Sequence, residues 1–408
     1  MSEPYPRYVV IGNGIAGTTA AETLRKNDPN CTISLFTDEP YPLYNRVALP
    51  PALKLEKPMP KVFMKTVEFH REHNICFYPE TRVTEIDLSA KSLLTDQGAA
   101  FPFDRLLVAT GGTPNKLPVP EADADGVCYF QTYDDTADLL ERIAKGRSAV
   151  AIGGSYIAYE LAEAFHMRGL QVSWLIRGPH FFHRVLDADG GAVVDGLARR
   201  HGVNMIYGDS AAHLEVKDGR VAGVVTVNGR HIEADFVGCG LGLHLNHDFL
   251  PAEVERDFGV TTNEFLETSA QGVYAAGDLA AAYDRSMDRH YTMGTWASAT
   301  AHGKVAAINM AGGRQPLTDF SNYTSGLFDS RMAVLGSTLE VRQDLQRVSE
   351  TIPPDGAGKD WAYRRLFFLE DRLVGAVLIG DMHARVDLIK TIRAGEPVWS
   401  EREALLRM

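Results

Sequence analysis

Two stretches decide the fold: Val9-Val10-Ile11-Gly12-Asn13-Gly14-Ile15-Ala16-Gly17 and Val150-Ala151-Ile152-Gly153-Gly154-Ser155-Tyr156-Ile157-Ala158-Tyr159-Glu160. In each, a short apolar run ends in a glycine-rich turn and an apolar, helix-like stretch follows. Glycine lets the backbone approach a pyrophosphate closely, and the amides that open the helix face the anion. One such turn marks a dehydrogenase. Two mark a protein that holds two dinucleotides and passes electrons between them.

Working outward, the first turn sits in a β-α-β unit over 6–38. Tyr8–Ile11 is a strand, Ala16–Lys26 an alanine-rich helix, and Thr32–Phe36 a second strand running into Asp38-Glu39. An acid at that strand end can hydrogen-bond the adenosine ribose, so Asp38 and Glu39 are both candidates. Proline-rich Pro40–Pro60 is expected to break regular structure. Residues 81–96 alternate like a strand pair, and Leu106–Val108 is an apolar strand stopped by Gly111-Gly112. The second β-α-β unit spans 148–176, followed by a meander at 219–232, a strand in 235–242 and a strand-then-Gly-Asp segment at Gly272–Asp278. A helix is predicted over Trp296–Met310, ended by Gly312-Gly313. Beyond it come strands at Arg331–Leu335, Tyr363–Leu369 and Leu373–Ile379 and a helix at Ala384–Ala394. The fold class is α/β: two Rossmann-like dinucleotide-binding domains, 1–117 with 246–316 and 118–245, plus a C-terminal α+β domain, 317–408.

The 408 residues exceed one hydrophobic core, and 45% apolar with 23% charged residues is ordinary globular composition. A net charge of -12 argues against nucleic acid and anionic lipid as partners. No apolar run approaches the roughly 18 residues of a membrane span. The first strand begins so early that a signal peptide has no room, so a cytoplasmic protein is expected. Cys31, Cys76, Cys128 and Cys239 are scattered and read as reduced thiols. His180, His183, His244 and His247 have no cysteine or carboxylate at a zinc spacing, so no metal is expected.

Four blocks in order, Gly12 to Gly17, Ala109-Thr110-Gly111, Gly153 to Glu160, and Ala275-Ala276-Gly277-Asp278, resemble the two-dinucleotide-binding-domain flavoproteins. Within them the chain is similar to the NAD(P)H-dependent rubredoxin and ferredoxin reductases and to the flavin region of assimilatory nitrite reductase. Tyr44-Asn45-Arg46 after Glu39-Pro40 strengthens the likeness. The resemblance implies FAD in the first site and NADPH or NADH in the second. It implies that Gly12, Gly14, Ile15, Ala16 and Gly17 shape the FAD pyrophosphate turn, and that Ala109, Thr110 and Gly111 close over the FAD. Asp278, next to Gly277, accepts from a ribityl hydroxyl, and Trp296 packs near the isoalloxazine. Arg46 and Val83 join the cofactor contacts, as do Gly153, Gly154, Ser155, Tyr156, Ile157 and Gly240. Glu160 matches a glutamate close to both flavin and nicotinamide, and is the candidate catalytic residue.

At the second turn Ser155 stands where a glycine is usual. Its Cβ crowds the approach to a pyrophosphate, while its hydroxyl offers a donor. Trp174-Leu175-Ile176-Arg177 ends the second strand without an acid, and Arg184 follows. Guanidinium groups suit a 2′-phosphate, which favours NADPH over NADH. The stretch Tyr41–Pro51 has no cysteine, so neither the C-x4-C nor the single-cysteine chemistry of the disulfide-reductase branch has its thiol; Val47 occupies the position of the latter. Electrons are therefore expected to leave the flavin directly. The electron-carrier reductases often pair a lysine near Pro51 with the glutamate matching Glu160, and none is expected here. Three outlets remain open: a rubredoxin-type or iron–sulfur carrier; oxygen, a quinone or another small molecule; or a redox sensor resembling apoptosis-inducing factor. The chain is expected to be a monomer or homodimer.

Overall fold

The computed structural model describes residues 5–54, 57–354 and 361–408. The chain divides into two compact units. The first comprises the chain up to Asn45 with Pro60–Thr113 and His244–Ser321; the second comprises Arg46–Met59, Pro114–Leu243 and Asn322–Met408.

The first unit is built on a parallel sheet ordered Val273–Ala275, Arg105–Val108, Arg7–Ile11, Thr32–Phe36, Ile75–Tyr78. The second unit has Val127–Tyr129, Phe236–Cys239, Ser148–Ile152, Gln171–Ile176 and Asn204–Tyr207, the same order from its second strand on, with an edge strand that precedes the glycine turn in the chain where Val273–Ala275 comes last. In both, the strand entering the glycine turn is central. The chain winds one way from it and then the other, which puts each turn at the switch point where such sheets open to ligands. Val9-Val10-Ile11 and Val150-Ala151-Ile152 are buried on both faces, as central parallel strands require.

Helix α1 (Ile15–Asn27) leaves the first turn; α2 (Leu49–Leu53), α3 (Val67–Glu72) and α4 (Tyr133–Lys145) follow. Helix α5 (Tyr156–Met167) leaves the second turn, and α6 (Ala188–Arg200), α7 (Trp296–Met310), α8 (Arg385–Ala394) and α9 (Arg402–Arg407) complete the set used below. Within the first unit α1 and α7 touch backbone to backbone: a Cβ on Gly303 would fall 2.1 Å from the Ala16 carbonyl oxygen. In the second unit an antiparallel sheet is ordered Asn322–Leu327, Ser330–Gly336, Arg372–Ile379, Ala362–Leu369, Gln346–Ile352. Leu335, Leu366, Phe368 and Leu378 of that sheet pack with Leu388 of α8 and Leu405 and Leu406 of α9.

The structure departs from sequence expectation in places. Pro40–Pro60 is not devoid of regular structure: Arg46–Ala48 is a 3-10 turn leading into α2, with Pro50 and Pro51 in its first turn, where prolines fit. Segment 46–59 and the C-terminal sheet group with the second unit. No described helix is long and apolar enough to cross a membrane.

Candidate functional site

The starts of the helices separate them into two kinds. Among the described helices of ten residues or more, α4, α6 and α7 are capped by the side chains of Thr132, Asp187 and Thr295, and α8 carries Asp387 in its first turn. Only α1 and α5 have neither a side-chain cap nor an acid in the first turn. Their first amides and the positive ends of their dipoles are left for something else, and an anion is what such an end binds. Both follow the glycine turns.

The glycines explain how the backbone gets close. Gly12 sits at φ +106°, and a Cβ there would lie 2.2 Å from the Ala109 carbonyl oxygen. A Cβ on Gly17 would lie 1.9 Å from the Gly12 oxygen. Around Gly14 a Cβ would meet nothing within 4 Å, so packing does not demand glycine there and the space is open. At the second turn Gly153, at φ +133°, would set a Cβ 2.1 Å from the Gly240 oxygen, and Gly240 would set one 2.5 Å from the Ala158 nitrogen. Ser155 keeps the extended backbone of Gly14, and its hydroxyl does not cap α5. These residues fit two dinucleotides, one in each unit.

In the first unit the candidates converge. Ala109 donates its amide to Ile11 beside the turn, Thr110 donates its hydroxyl to the Asn246 carbonyl at 2.7 Å, and the Asn246 amide nitrogen donates to Gly111 at 2.9 Å. Gly277, at φ +75°, presses the turn that carries Asp278 against Ala16, which would stand 3.2 Å from a Cβ on it. Trp296 is the half-buried first residue of α7, and Val83 is buried on its own strand. Asp38 points outward and pairs with Arg82 at 3.3 Å, whereas Glu39 is half-buried and accepts from the Tyr44 hydroxyl at 2.6 Å. Arg46, expected with the first site, lies in the second unit and donates to the Gln131 carbonyl at 2.8 Å. Asn13 buttresses the turn through Tyr41 and Thr18, a role that its place between two glycines signals only weakly.

In the second unit the turn is clasped from behind. Trp174 donates its indole N–H to the Gly153 oxygen at 2.8 Å, and the Phe182 amide donates to the Gly154 oxygen at 3.0 Å. Phe182 belongs to the loop that carries Arg177 and Arg184, both exposed, and Arg365 of the C-terminal sheet donates to Val185 of that loop at 2.9 Å. Tyr156 lies between the rings of Phe182 and Tyr323, at 4.9 and 4.4 Å. Ile157 is half-buried alongside.

Glu160 faces inward from α5 and is 8% exposed. The Tyr323 hydroxyl donates to its Oε1 at 3.0 Å. Burial pushes the Glu160 carboxyl up to about 7, against the opposing effects of the Tyr323 bond and the Lys54 charge and with the aid of the Glu163 charge. Tyr159 donates to Ser325 and, at 2.7 Å, to the Gly326 oxygen. A lysine does stand near Glu160, contrary to expectation: Lys54, at the end of α2, forms a buried ion pair with Glu163. Tyr323, Ser325 and Lys54 were not signalled by any motif.

Three of the four thiols are buried. Burial pushes Cys31 up to about 11 and Cys128 and Cys239 up to about 12, which disfavours the thiolate of these three, and the four cysteines form no disulfide. His244 does have a carboxylate partner, Asp248 at 2.9 Å, but no group of three metal-binding side chains occurs among the described residues.

Comparison with known proteins gives the fold and the family. The chain is 28% identical over 377 residues to a nitrite reductase (NAD(P)H) of Bacillus subtilis (strain 168), covering 91% of this chain and 45% of that one. It is 31% identical over 275 residues to rhodocoxin reductase of Rhodococcus erythropolis, covering 67% and 64%. Its fold matches a ferredoxin reductase from Rhodopseudomonas palustris with a TM-score of 0.88 at 23% identity, covering 96% and 95%. The chain spans about half to two thirds of the length of the two sequence relatives. Residues 6–303 match the family model described as pyridine nucleotide-disulphide oxidoreductase, and with most of its length so accounted for, the chain belongs to that family.

Proposed function

We propose that the protein is an FAD-dependent NAD(P)H oxidoreductase that takes a hydride from NAD(P)H and hands electrons to an external carrier of the rubredoxin or ferredoxin type. The observation that carries this reading is the pair of uncapped helix starts, each behind glycines that exclude a Cβ, one per unit. The first turn, with Ala109, Thr110, Gly111, Gly277, Asp278 and Trp296, would hold FAD. The second, with Ser155, Tyr156, Ile157 and Gly240, would hold the nicotinamide nucleotide. When bound, the flavin supplies the two-electron acceptor that can also give up electrons singly. The protein's part is to fix the two nucleotides and exclude water. Buried, protonated thiols favour direct exit of electrons, and relatives named as reductases of rhodocoxin and ferredoxin favour a protein acceptor.

For the donor, the strand Gln171–Ile176 ends without an acid, and Arg177 and Arg184 are exposed on the following loop. This favours NADPH. The test is anaerobic stopped-flow reduction of the flavin-loaded protein by NADPH and by NADH, then mixing with rubredoxin, ferredoxin, menadione and air. Fast reduction by NADPH and fast reoxidation by one carrier protein support the proposal. Reoxidation by menadione or air alone indicates a small-molecule reductase. A long-lived reduced state with every acceptor indicates a sensor. Equal KM values for the two nucleotides, unchanged in Arg177→Ala, refute the NADPH preference.

A further inference from the structure

The C-terminal sheet has two different faces. Along Ala362–Leu369 the side chains alternate. Arg364 reaches the Leu405 and Leu406 carbonyls of α9, while Tyr363 and Arg365 turn the other way, toward the loop Arg177–Leu186 and the start of α6. Ser349 stands opposite Arg365 in the register of the neighbouring strand and so shares that face. Three contacts join this face to the loop and α6. Arg365 donates to the Val185 oxygen at 2.9 Å, the Ser349 hydroxyl donates to Asp187 at 2.7 Å, and a Cβ on Gly190 would lie 2.8 Å from the Tyr363 ring.

The loop is tightly wound. The Val185 and Leu186 amides donate to the Phe182 oxygen at 2.8 and 2.9 Å, and Phe182 takes the left-handed φ of +51°. Phe181, Phe182, Val185 and Leu186 are buried, and Gly178 leaves room for the His183 ring, which a Cβ would meet at 2.4 Å. Three hydrogen bonds then run in series from the sheet to the glycine turn: Arg365 to the Val185 oxygen, the Val185 amide to the Phe182 oxygen, and the Phe182 amide to the Gly154 oxygen at 3.0 Å. The last bond has a direction. A trans peptide is planar, with its N–H pointing opposite to its C=O. A donor that holds the Gly154 oxygen therefore turns the Ser155 amide to the other side. Trp174 does the same one peptide earlier, through the Gly153 oxygen.

Holding the loop with a guanidinium is costly. Arg365 is 5% exposed, its Nε has no hydrogen-bond partner among the described residues, and the Asp187 carboxylate stands 4.0 Å from Nη1. An apolar side chain of similar size would pack at lower cost. What the guanidinium adds is the bond to Val185.

We infer that Arg365 is a positioning residue for the nicotinamide nucleotide: through Val185 and Phe182 it aims the Ser155 amide at the pyrophosphate, which makes the C-terminal sheet part of the second site. This rests on the second turn holding that nucleotide. The pyrophosphate is common to both nucleotides, so the effect falls on both alike, whereas that of Arg177 would fall on the 2′-phosphate form alone.

The test is calorimetric titration of the flavin-loaded protein with NADP+ and with NAD+, paired with the stopped-flow rate of flavin reduction at saturating NADPH. Arg365→Met should raise both dissociation constants about tenfold. The saturated reduction rate should stay within about twofold of wild type, with flavin content unchanged. Arg365→Lys, which can still donate to Val185, should recover most of the affinity. Should Arg365→Met not fold, Ser349→Ala decides: binding about threefold weaker supports the inference, and unchanged binding overturns it. Unchanged affinity in Arg365→Met, a loss that lysine does not repair, or a loss confined to NADP+ overturns the inference while leaving nucleotide binding in place. If the wild type binds neither nucleotide, the nicotinamide assignment fails and the inference with it.

Discussion

The two glycine turns share a plan and differ in how much of it glycine supplies. In the first, Gly12, Gly14 and Gly17 do everything: one turns the chain, one leaves open space, one lets α1 pack on the turn. In the second, only Gly153 survives of the corresponding three. Ser155 replaces the glycine whose Cβ would have met nothing, and Ala158 replaces the one whose Cβ would have collided. On the facing loop Gly240 is required whatever stands at 158, because a Cβ there would lie 2.5 Å from the Ala158 nitrogen and 3.0 Å from its Cβ. A glycine fingerprint is thus a statement about pairs of approaching backbones, and the second turn draws one of its glycines from a distant loop.

The largest effect expected is at the first turn. Gly17→Ala puts a Cβ into the Gly12 carbonyl and should cost about 3–5 kcal/mol, with loss of bound flavin, whereas Ala158→Gly at the matching position should cost only about 1 kcal/mol. Denaturant unfolding with flavin absorbance as a second probe distinguishes the two; equal losses would break the comparison.

Next in size is the buried ion pair Lys54–Glu163, whose counterpart on α1, Lys65–Glu22 at 2.7 Å, is about a quarter exposed. Lys54→Met removes the cation paired with the buried Glu163 carboxylate and should destabilise by about 3 kcal/mol. A small effect on the urea midpoint would show that the pair is open to water.

A third effect appears only with pH. A carboxyl that is harder to ionise when folded stabilises the protein while protonated, so the contribution of Glu160 is full below its unfolded value of 4.5 and is lost as pH rises through about 7. The stability of the nucleotide-free protein should fall by about 3 kcal/mol across that window on account of this group. Glu160→Gln should remove that part of the slope, and a wild-type and variant with parallel pH profiles would refute it.

The smallest contrast separates helix starts that are capped from those kept open. Thr132→Ala breaks a capping box and should cost about 1 kcal/mol, while Ser155→Ala should cost close to nothing in stability and weaken nucleotide binding instead. Thermal unfolding with and without nucleotide reads both.

Much of the framework is legible in the residues. Thr32–Phe36 and Trp296–Met310 end where apolar period and glycine stops place them, because local pattern and burial agree there. Helices α4 and α6 are harder to see: Thr132 and Asp187 are good caps, but six of the thirteen residues in Tyr133–Lys145 are charged and three glycines interrupt Ala188–Arg200. The surroundings of Glu160 are beyond local reading altogether. Tyr323 lies 163 residues from it in sequence, and nothing in either stretch announces the other. Lys54 escapes for a different reason: it sits three residues from where the resemblance looks for a lysine, and it pairs with Glu163 rather than Glu160.

That long separation has a consequence for the making of the protein. On a ribosome, Glu160 is complete 163 residues before Tyr323, an interval of roughly 10–30 s at ordinary elongation rates. Throughout it the chain carries Tyr159, Glu160 and Glu163 on a helix whose covering strand does not yet exist. The second unit is thus among the last parts of the nascent chain to close, and a stall or truncation between these residues would release a polypeptide whose second glycine turn is still bare.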